Sequence, residues 1–211
     1  MNNQKIENII FDLGGVIINL DMDHAFDRFS QLFGRDVRST IMDDLHSHKF
    51  FQEFEVGHIS EEAFRNSLRQ LTHSNLDDTH LDEAWNSMLG NIPGDRLDWI
   101  TALAKDYNIE ILSNTNSIHI KKFNEIFDQS SSFKHPADLF HKTYYSHEIN
   151  DRKPNMSCFQ YVLNDFGMIP EKTIFYDDNK DNIHSADELG IQTVLVEKNL
   201  LRGDQLPNGR N

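Results

Sequence analysis

Four polar clusters in this chain have the residue types that phosphoryl transfer requires. They are Asp12 in Phe11-Asp12-Leu13-Gly14-Gly15-Val16, Ser113-Asn114 in Leu112-Ser113-Asn114-Thr115-Asn116, Lys153 in Asp151-Arg152-Lys153-Pro154, and Asp177-Asp178 with Asn182 in the stretch from Tyr176 to Asn182. A carboxylate can attack phosphorus directly and hold the group as an aspartyl phosphate. Two or three carboxylates with a carbonyl oxygen suit hexacoordinate Mg²⁺, which offsets the repulsion between an anionic nucleophile and an anionic phosphate. A hydroxyl and backbone N–H groups at a helix start can grip phosphoryl oxygens, and a lysine supplies compact positive charge for the transition state. The adjacent acids Asp177 and Asp178, at the end of an apolar run, repel each other unless a cation is present.

Such groups act together only if the fold gathers them. Short apolar runs precede three of the clusters: Ile9-Ile10-Phe11, Ile109 to Leu112, and Thr173 to Tyr176. A fourth run starts at Gln192 (QTVLV), and all four read as buried parallel strands. A fifth, KTYY from Lys142, is less hydrophobic and suits the sheet edge. Helical patterns alternate with them at Asp95–Lys105, Ile118–Phe127, Asn155–Phe166 and Asp181–Leu189, the last stopped by Gly190. Strand and helix in this rhythm predict an α/β fold with a doubly wound parallel sheet. In such sheets the carboxyl ends of the strands share one edge, where ligands bind.

The segment 21–90 breaks the rhythm. It has no convincing strand but carries amphipathic helical stretches. One is Phe50–Phe54. Another is capped by Ser60, with Glu61 and Glu62 in its first turn, and runs to Leu71. A third covers Leu81–Leu89 around Trp85. These predict a helical bundle inserted after the first strand, so that 1–20 and 91–211 form the α/β core. Phe50, Phe51, Phe54 and Phe64 are expected to be the bundle's own core.

Composition narrows the partners. With 38% hydrophobic and 26% charged residues the chain reads as globular, and its 211 residues can bury a full core. A formal charge of −14 opposes nucleic-acid binding, so any positive charge for a phosphate must be local, from a metal ion and a few cations. A single cysteine, Cys158, permits no intrachain disulfide and fits a reducing compartment. No signal-like segment or membrane span is visible, so the expectation is a cytoplasmic protein with a small phosphorylated molecule as substrate. The tail from Leu200 is polar, and its Arg202-Gly203-Asp204 adhesion-like tripeptide is read as chance.

In type and order the four clusters resemble those of the haloacid dehalogenase superfamily, and the resemblance spans essentially the whole chain. It implies a Rossmann-like core with a helical cap at 21–90. It implies Asp12 as nucleophile and metal ligand, and Gly14 as a metal ligand through its carbonyl. Ser113 with Asn114 would bind phosphate, Lys153 would neutralise it, Asp177 and Asp178 would complete a Mg²⁺ site, and Asn182 would support that shell. The family's usual opening is Asp-x-Asp, whose second carboxylate protonates the leaving group and then activates water. Here that position is Gly14. The Asp-Leu-Gly-Gly-Val form is similar to a bacterial subgroup that includes α-glucose-1-phosphate phosphatase-like members, and it leaves open what replaces the acid.

Taken singly, these residues have bland readings. Asp12 could be a turn residue, Ser113-Asn114 an N-cap, and Lys153-Pro154 an exposed lysine before a helix. Together and in order they favour a phosphatase working through Asp12. Two alternatives stand beside it. One is a phosphometabolite-binding protein that has lost turnover at Gly14. The other is a 2-haloacid dehalogenase, which needs no divalent metal and no acidic pair at the fourth cluster. His46-x-His48 lacks a third ligand and reads as solvated, and none of the eleven histidines is nominated as catalytic.

Overall fold

The run Asn8–Phe11 is apolar from Ile9 onward and buried at every position, which suits a strand covered on both sides. In a computed structural model, which describes residues 5–34, 36, 38, 49–199 and 201, it is the central strand β1. The other strands are β2 (Asn108–Ser113), β3 (Lys142–Tyr145), β4 (Thr173–Asp177) and β5 (Gln192–Leu195). All pair in parallel in the order β3-β2-β1-β4-β5. The order reverses beside β1, so the crevice between the ends of β1 and β4 is the topological switch point.

Alternation along the strands divides two apolar layers. Ile9, Phe11, Ile111 and Tyr176 pack against Leu97, Ile100, Phe123 and Phe127, whereas Ile10, Leu112 and Phe175 pack against Phe159, Val162 and Ala186. The first layer is covered by α5 (Gly94–Leu103) and α6 (Ser117–Ser130). The second is covered by α8 (Met156–Phe166) and α9 (Lys180–Glu188), with the single turn α7 (Ser146–Ile149) before them. β3 lies at one edge, as its composition suggests. β5 departs from the expectation of a buried strand. It is the other edge, partly exposed along its length with Leu195 46% exposed, because it has one neighbour only.

Between β1 and α5 the described residues form four helices: α1 (Met22–Phe33), α2 (Lys49–Glu55), α3 (Glu61–Thr72) and α4 (Asp78–Asn86). Ser60 caps α3 through a 3.2 Å bond from Ala63 N–H, as its sequence predicts. The helix expected at Leu81–Leu89 begins earlier, because Asp77 caps it, and ends earlier, because Leu89 turns back to bridge with Leu20. Phe26, Phe29, Phe51, Phe54, Phe64, Leu68 and Trp85 form a separate apolar cluster, which Ile118 of α6 joins. His46, His48 and the tail from 202 lie outside the described residues. No helix among the described residues is long and apolar enough to cross a membrane.

One core residue contradicts its surroundings. Glu110 on β2 is fully buried, and neither of its carboxylate oxygens has a hydrogen-bond partner among the described residues. Burial pushes its carboxyl up from 4.5 to about 8. The folded state therefore holds a proton there that the unfolded chain gives up, so stability falls as pH rises through that window, by at most ~1.4 kcal/mol per pH unit. Glu110→Gln should flatten this slope and raise the melting temperature at pH 8. Equal pH–stability curves for the two proteins would refute the burial account.

Candidate active site

The loop after β1 is shaped by two glycines. Gly15 has φ +78°, and a Cβ there would approach Asp178 Oδ2 to 2.3 Å, so only glycine lets the loop pass beneath that acid. At Gly14 a Cβ would lie 2.7 Å from Leu20 Cδ1. The space where a second family carboxylate would start is thus taken by Leu20. Leu20 is itself pinned at its N–H and its carbonyl by the Asn199 side chain, at 2.9 and 3.1 Å.

Asp12 extends the β1–β4 ladder, its N–H reaching the Tyr176 carbonyl at 2.8 Å. Its Oδ1 accepts from Leu13 N–H at 2.7 Å and meets Lys153 Nζ at 2.8 Å. The same ammonium donates to Asp177 Oδ2 at 2.7 Å. Asn182 Nδ2 reaches both oxygens of Asp177, at 3.1 and 3.0 Å, and Asn179 N–H donates to Oδ1 at 2.7 Å. Lys153 is 1% exposed. Asn114 fixes its backbone reciprocally: Asn114 Nδ2 donates to the Lys153 carbonyl at 2.8 Å, and Lys153 N–H donates to Asn114 Oδ1 at 2.9 Å. Both ends of the Asn114 amide are therefore spent on placing the lysine.

Burial would lower Lys153, but Asp12 and Asp177 overcome this and keep the ammonium charged. Burial raises the Asp12 carboxyl to about 7 against the pull of Lys153, with Asp177 adding to the rise, and Asp178 is raised by burial and then by Asp177. Oxygens of Asp12, Asp177 and Asp178 lie within 4.8 Å of one another. Three carboxylates face the Lys153 ammonium and, at the outer edge beside Asp178, that of Lys198, which leaves net negative charge for a divalent cation to offset. The all-oxygen donor set fits a hard ion such as Mg²⁺.

Two adjoining cavities open here. One, of about 270 Å³, is lined by Asp12, Lys153, Asp178, Asn182 and Lys198. The other, of about 240 Å³, is lined by Glu55, Trp85, Ser113, Thr115, Asn116 and His119 among others, and the two share Gly14, Leu20, Met22 and Asn114. Ser113 is buried at the end of β2, four residues before α6 begins. The structure thus gathers every residue singled out from the sequence: Asp12, Gly14, Lys153, Asp178, Asn182 and Asn114 line the charged cavity, Ser113 lines its neighbour, and Asp177 lies beneath, bonded to Lys153.

The sequence reading gave no role to Glu55, Leu20 or Arg152. Glu55 ends α2 and pairs with Arg152 Nη1 at 2.9 Å. Nothing in its local sequence distinguishes it from the other acids of the insert. His119 also reaches the cavity. Its ring is stacked on Trp85 at 4.9 Å, and burial pushes it down to about 4, so it is neutral.

A model of the haloacid dehalogenase-like hydrolases matches residues 9–196, and the chain belongs to that family. It is 35% identical over 192 residues to a D-ribitol-5-phosphate phosphatase of Bacteroides thetaiotaomicron, covering 91% of this chain and 92% of that protein. A family enzyme from the same organism, solved in complex with magnesium and inorganic phosphate, superposes with a TM-score of 0.85 at 35% identity, covering 92% of this chain and 95% of that one. A HAD-like hydrolase of Porphyromonas gingivalis gives a TM-score of 0.81 at 32% identity, covering 90% and 91%.

Proposed function

We propose that this chain is a magnesium-dependent phosphatase that hydrolyses a small sugar or alditol phosphate through an aspartyl phosphate on Asp12. One observation carries the reading: the Asp12 carboxylate is held 2.8 Å from a buried lysine, among three acids whose charge calls for a divalent cation. The similarity to a phosphatase of D-ribitol 5-phosphate supports the substrate class. So does the mixed lining of the second cavity, where the Trp85 ring, Thr115 and Asn116 offer an apolar face beside hydrogen-bonding groups.

Asp12, Asp177, Asp178 and the Gly14 carbonyl would hold Mg²⁺, which would supply charge neutralisation at the phosphoryl group. The protein's own groups do the rest. Lys153 steers the ester's phosphoryl oxygens against Asp12 and stabilises the charge that grows on them. Ser113, with backbone N–H groups before α6, grips the remaining phosphoryl oxygens. Asp12 attacks phosphorus, the ester bond breaks, and water later cleaves the aspartyl phosphate. Asn182 and Asn114 hold Asp177 and Lys153 in register. The helices of 21–90 act as a cap that shapes the leaving-group cavity, and the single buried cysteine suits a cytoplasmic setting. The acidic cluster opposes the dehalogenase alternative, since halide displacement has no use for a cation site.

The deciding experiment measures phosphate release from p-nitrophenyl phosphate and a panel of alditol and sugar phosphates, with Mg²⁺ and with EDTA. Release should vanish in EDTA, return with Mg²⁺ and favour five- or six-carbon phosphates. Release undiminished by EDTA, or turnover of 2-haloacids instead, would overturn the reading.

A further inference from the structure

Hydrolysis of an alkyl phosphate needs an acid for the leaving oxygen and a base for water, and position 14 has no side chain to provide either. Gly14 and Leu20 border both cavities; the charged one holds Asp12, Lys153, Asp178 and Lys198, and the neighbouring one has two titratable side chains in its lining, Glu55 and His119. His119 is already committed. Its Nδ1 lies 3.2 Å from Asn116 Nδ2 and its Nε2 lies 3.3 Å from the Trp85 carbonyl, so both nitrogens are engaged in the neutral ring.

Glu55 is differently placed. The core holds the backbone at Glu55 and just after it: Ser146 Oγ donates to the Glu55 carbonyl at 2.5 Å, and Asn150 Nδ2 donates to the Val56 carbonyl at 2.9 Å. Its Oε2 meets Arg152 Nη1 at 2.9 Å, and Arg152 is the chain neighbour of Lys153. Close packing locks the turn that follows, since a Cβ at Gly57 would lie 2.2 Å from the His147 carbonyl. A helix end of the insert is thereby clamped onto the loop that bears the catalytic lysine, with its carboxylate in the lining of the leaving-group cavity.

We propose that Glu55 is the general acid and base of this active site, in place of the side chain that position 14 lacks; the inference rests on the phosphatase reading above. As Asp12 forms its bond to phosphorus, the phosphorus–ester oxygen bond breaks, and the Glu55 carboxyl gives its proton to that oxygen, releasing the alcohol. The Glu55 carboxylate then takes a proton from water as the water oxygen bonds to phosphorus. The acyl phosphate bond breaks, its electrons return to Asp12, and inorganic phosphate leaves with Glu55 reprotonated. Burial raises the Glu55 carboxyl above its ordinary value, against the pull of Arg152 and then Lys153.

The test compares wild type with Glu55→Gln, in Mg²⁺, on D-ribitol 5-phosphate and on p-nitrophenyl phosphate, whose leaving group departs without a proton. For Glu55→Gln, turnover of the alkyl ester should fall by roughly 10²–10⁴-fold. With p-nitrophenyl phosphate it should show a burst of p-nitrophenol of about one per active site, followed by slow turnover. Intact-protein mass spectrometry should then find the phosphoryl group on the enzyme. Arg152→Gln breaks the same ion pair and should trap no phosphoenzyme, and matching Mg²⁺-dependent thermal shifts will show that each variant folds. Equal slowing of both esters without trapped phosphoenzyme, or the same trapping in Arg152→Gln, would overturn the role of Glu55. So would wild-type rates in Glu55→Gln. A wild type that releases phosphate from neither ester would instead overturn the phosphatase reading, and the Glu55 inference with it.

Discussion

Replacing Asp12 with asparagine is expected to lower phosphate release by on the order of 10⁶-fold, the scale on which loss of a covalent nucleophile acts. An amide of the same shape cannot attack phosphorus, and no other described carboxylate occupies its place at the end of β1. The fold should survive. Asn keeps an acceptor for Leu13 N–H, Lys153 keeps its 2.7 Å bond to Asp177, and one raised, buried carboxyl disappears. Without metal, the variant should therefore melt at or above the wild-type temperature. Its gain on adding Mg²⁺ should shrink, because a lost ligand weakens binding and saturating ligand at ~100 times Kd adds only about 2.7 kcal/mol even to an intact site. Calorimetry in EDTA and in Mg²⁺, run beside the phosphate assay, checks both halves. An Asp12→Asn protein that still forms a phosphoenzyme would move the nucleophile elsewhere.

Lys153→Met should damage activity and stability together, unlike Asp12→Asn. The ammonium is the shared partner of Asp12 and Asp177, and its removal leaves two buried carboxylates facing each other. Breaking such a pair from one side costs about 3–5 kcal/mol, because charge remains buried without compensation. Methionine fills the aliphatic volume, so the loss reads electrostatics rather than a cavity. The Phe175 ring, 5.2 Å below the ammonium, loses its cation contact as well. Turnover should fall roughly 10²–10³-fold or more, the effect of removing one preorganised group that stabilises transition-state charge. Mg²⁺ should restore part of the melting temperature, since a divalent cation among the same acids supplies the missing charge, but it should not restore the rate. Unchanged melting in EDTA would mean that the pair contributes nothing to the fold.

Asp12, and the acids Asp177 and Asp178 beside it, were legible because of how parallel sheets are built, whereas Lys153 follows no strand directly and lies eight residues beyond β3. Each apolar run ending in a polar cluster marks a strand whose carboxyl end carries that cluster, and parallel pairing sends all such ends to one edge. Ile9-Ile10-Phe11 before Asp12 and Thr173–Tyr176 before Asp177 placed their acids without any knowledge of tertiary contacts. Capping was legible for the same local reason, as Ser60 shows at α3. The misjudged strand was β5, whose apolar letters match those of a buried strand while its edge position depends on how many neighbours it acquires.

The sequence alone thus determined the alternation of strands and helices, the family's polar clusters and the absence of a carboxylate at position 14. Only the tertiary structure decided what stands around that absence. Leu20 fills the space because Asn199, 179 residues away, grips its backbone, and Glu55 reaches the cavity because α2 docks against α7 and the loop that follows it. A helical residue turns its side chain by about 100° per position. The direction of a carboxylate on an inserted helix therefore depends on packing between elements distant in sequence, which no local pattern encodes.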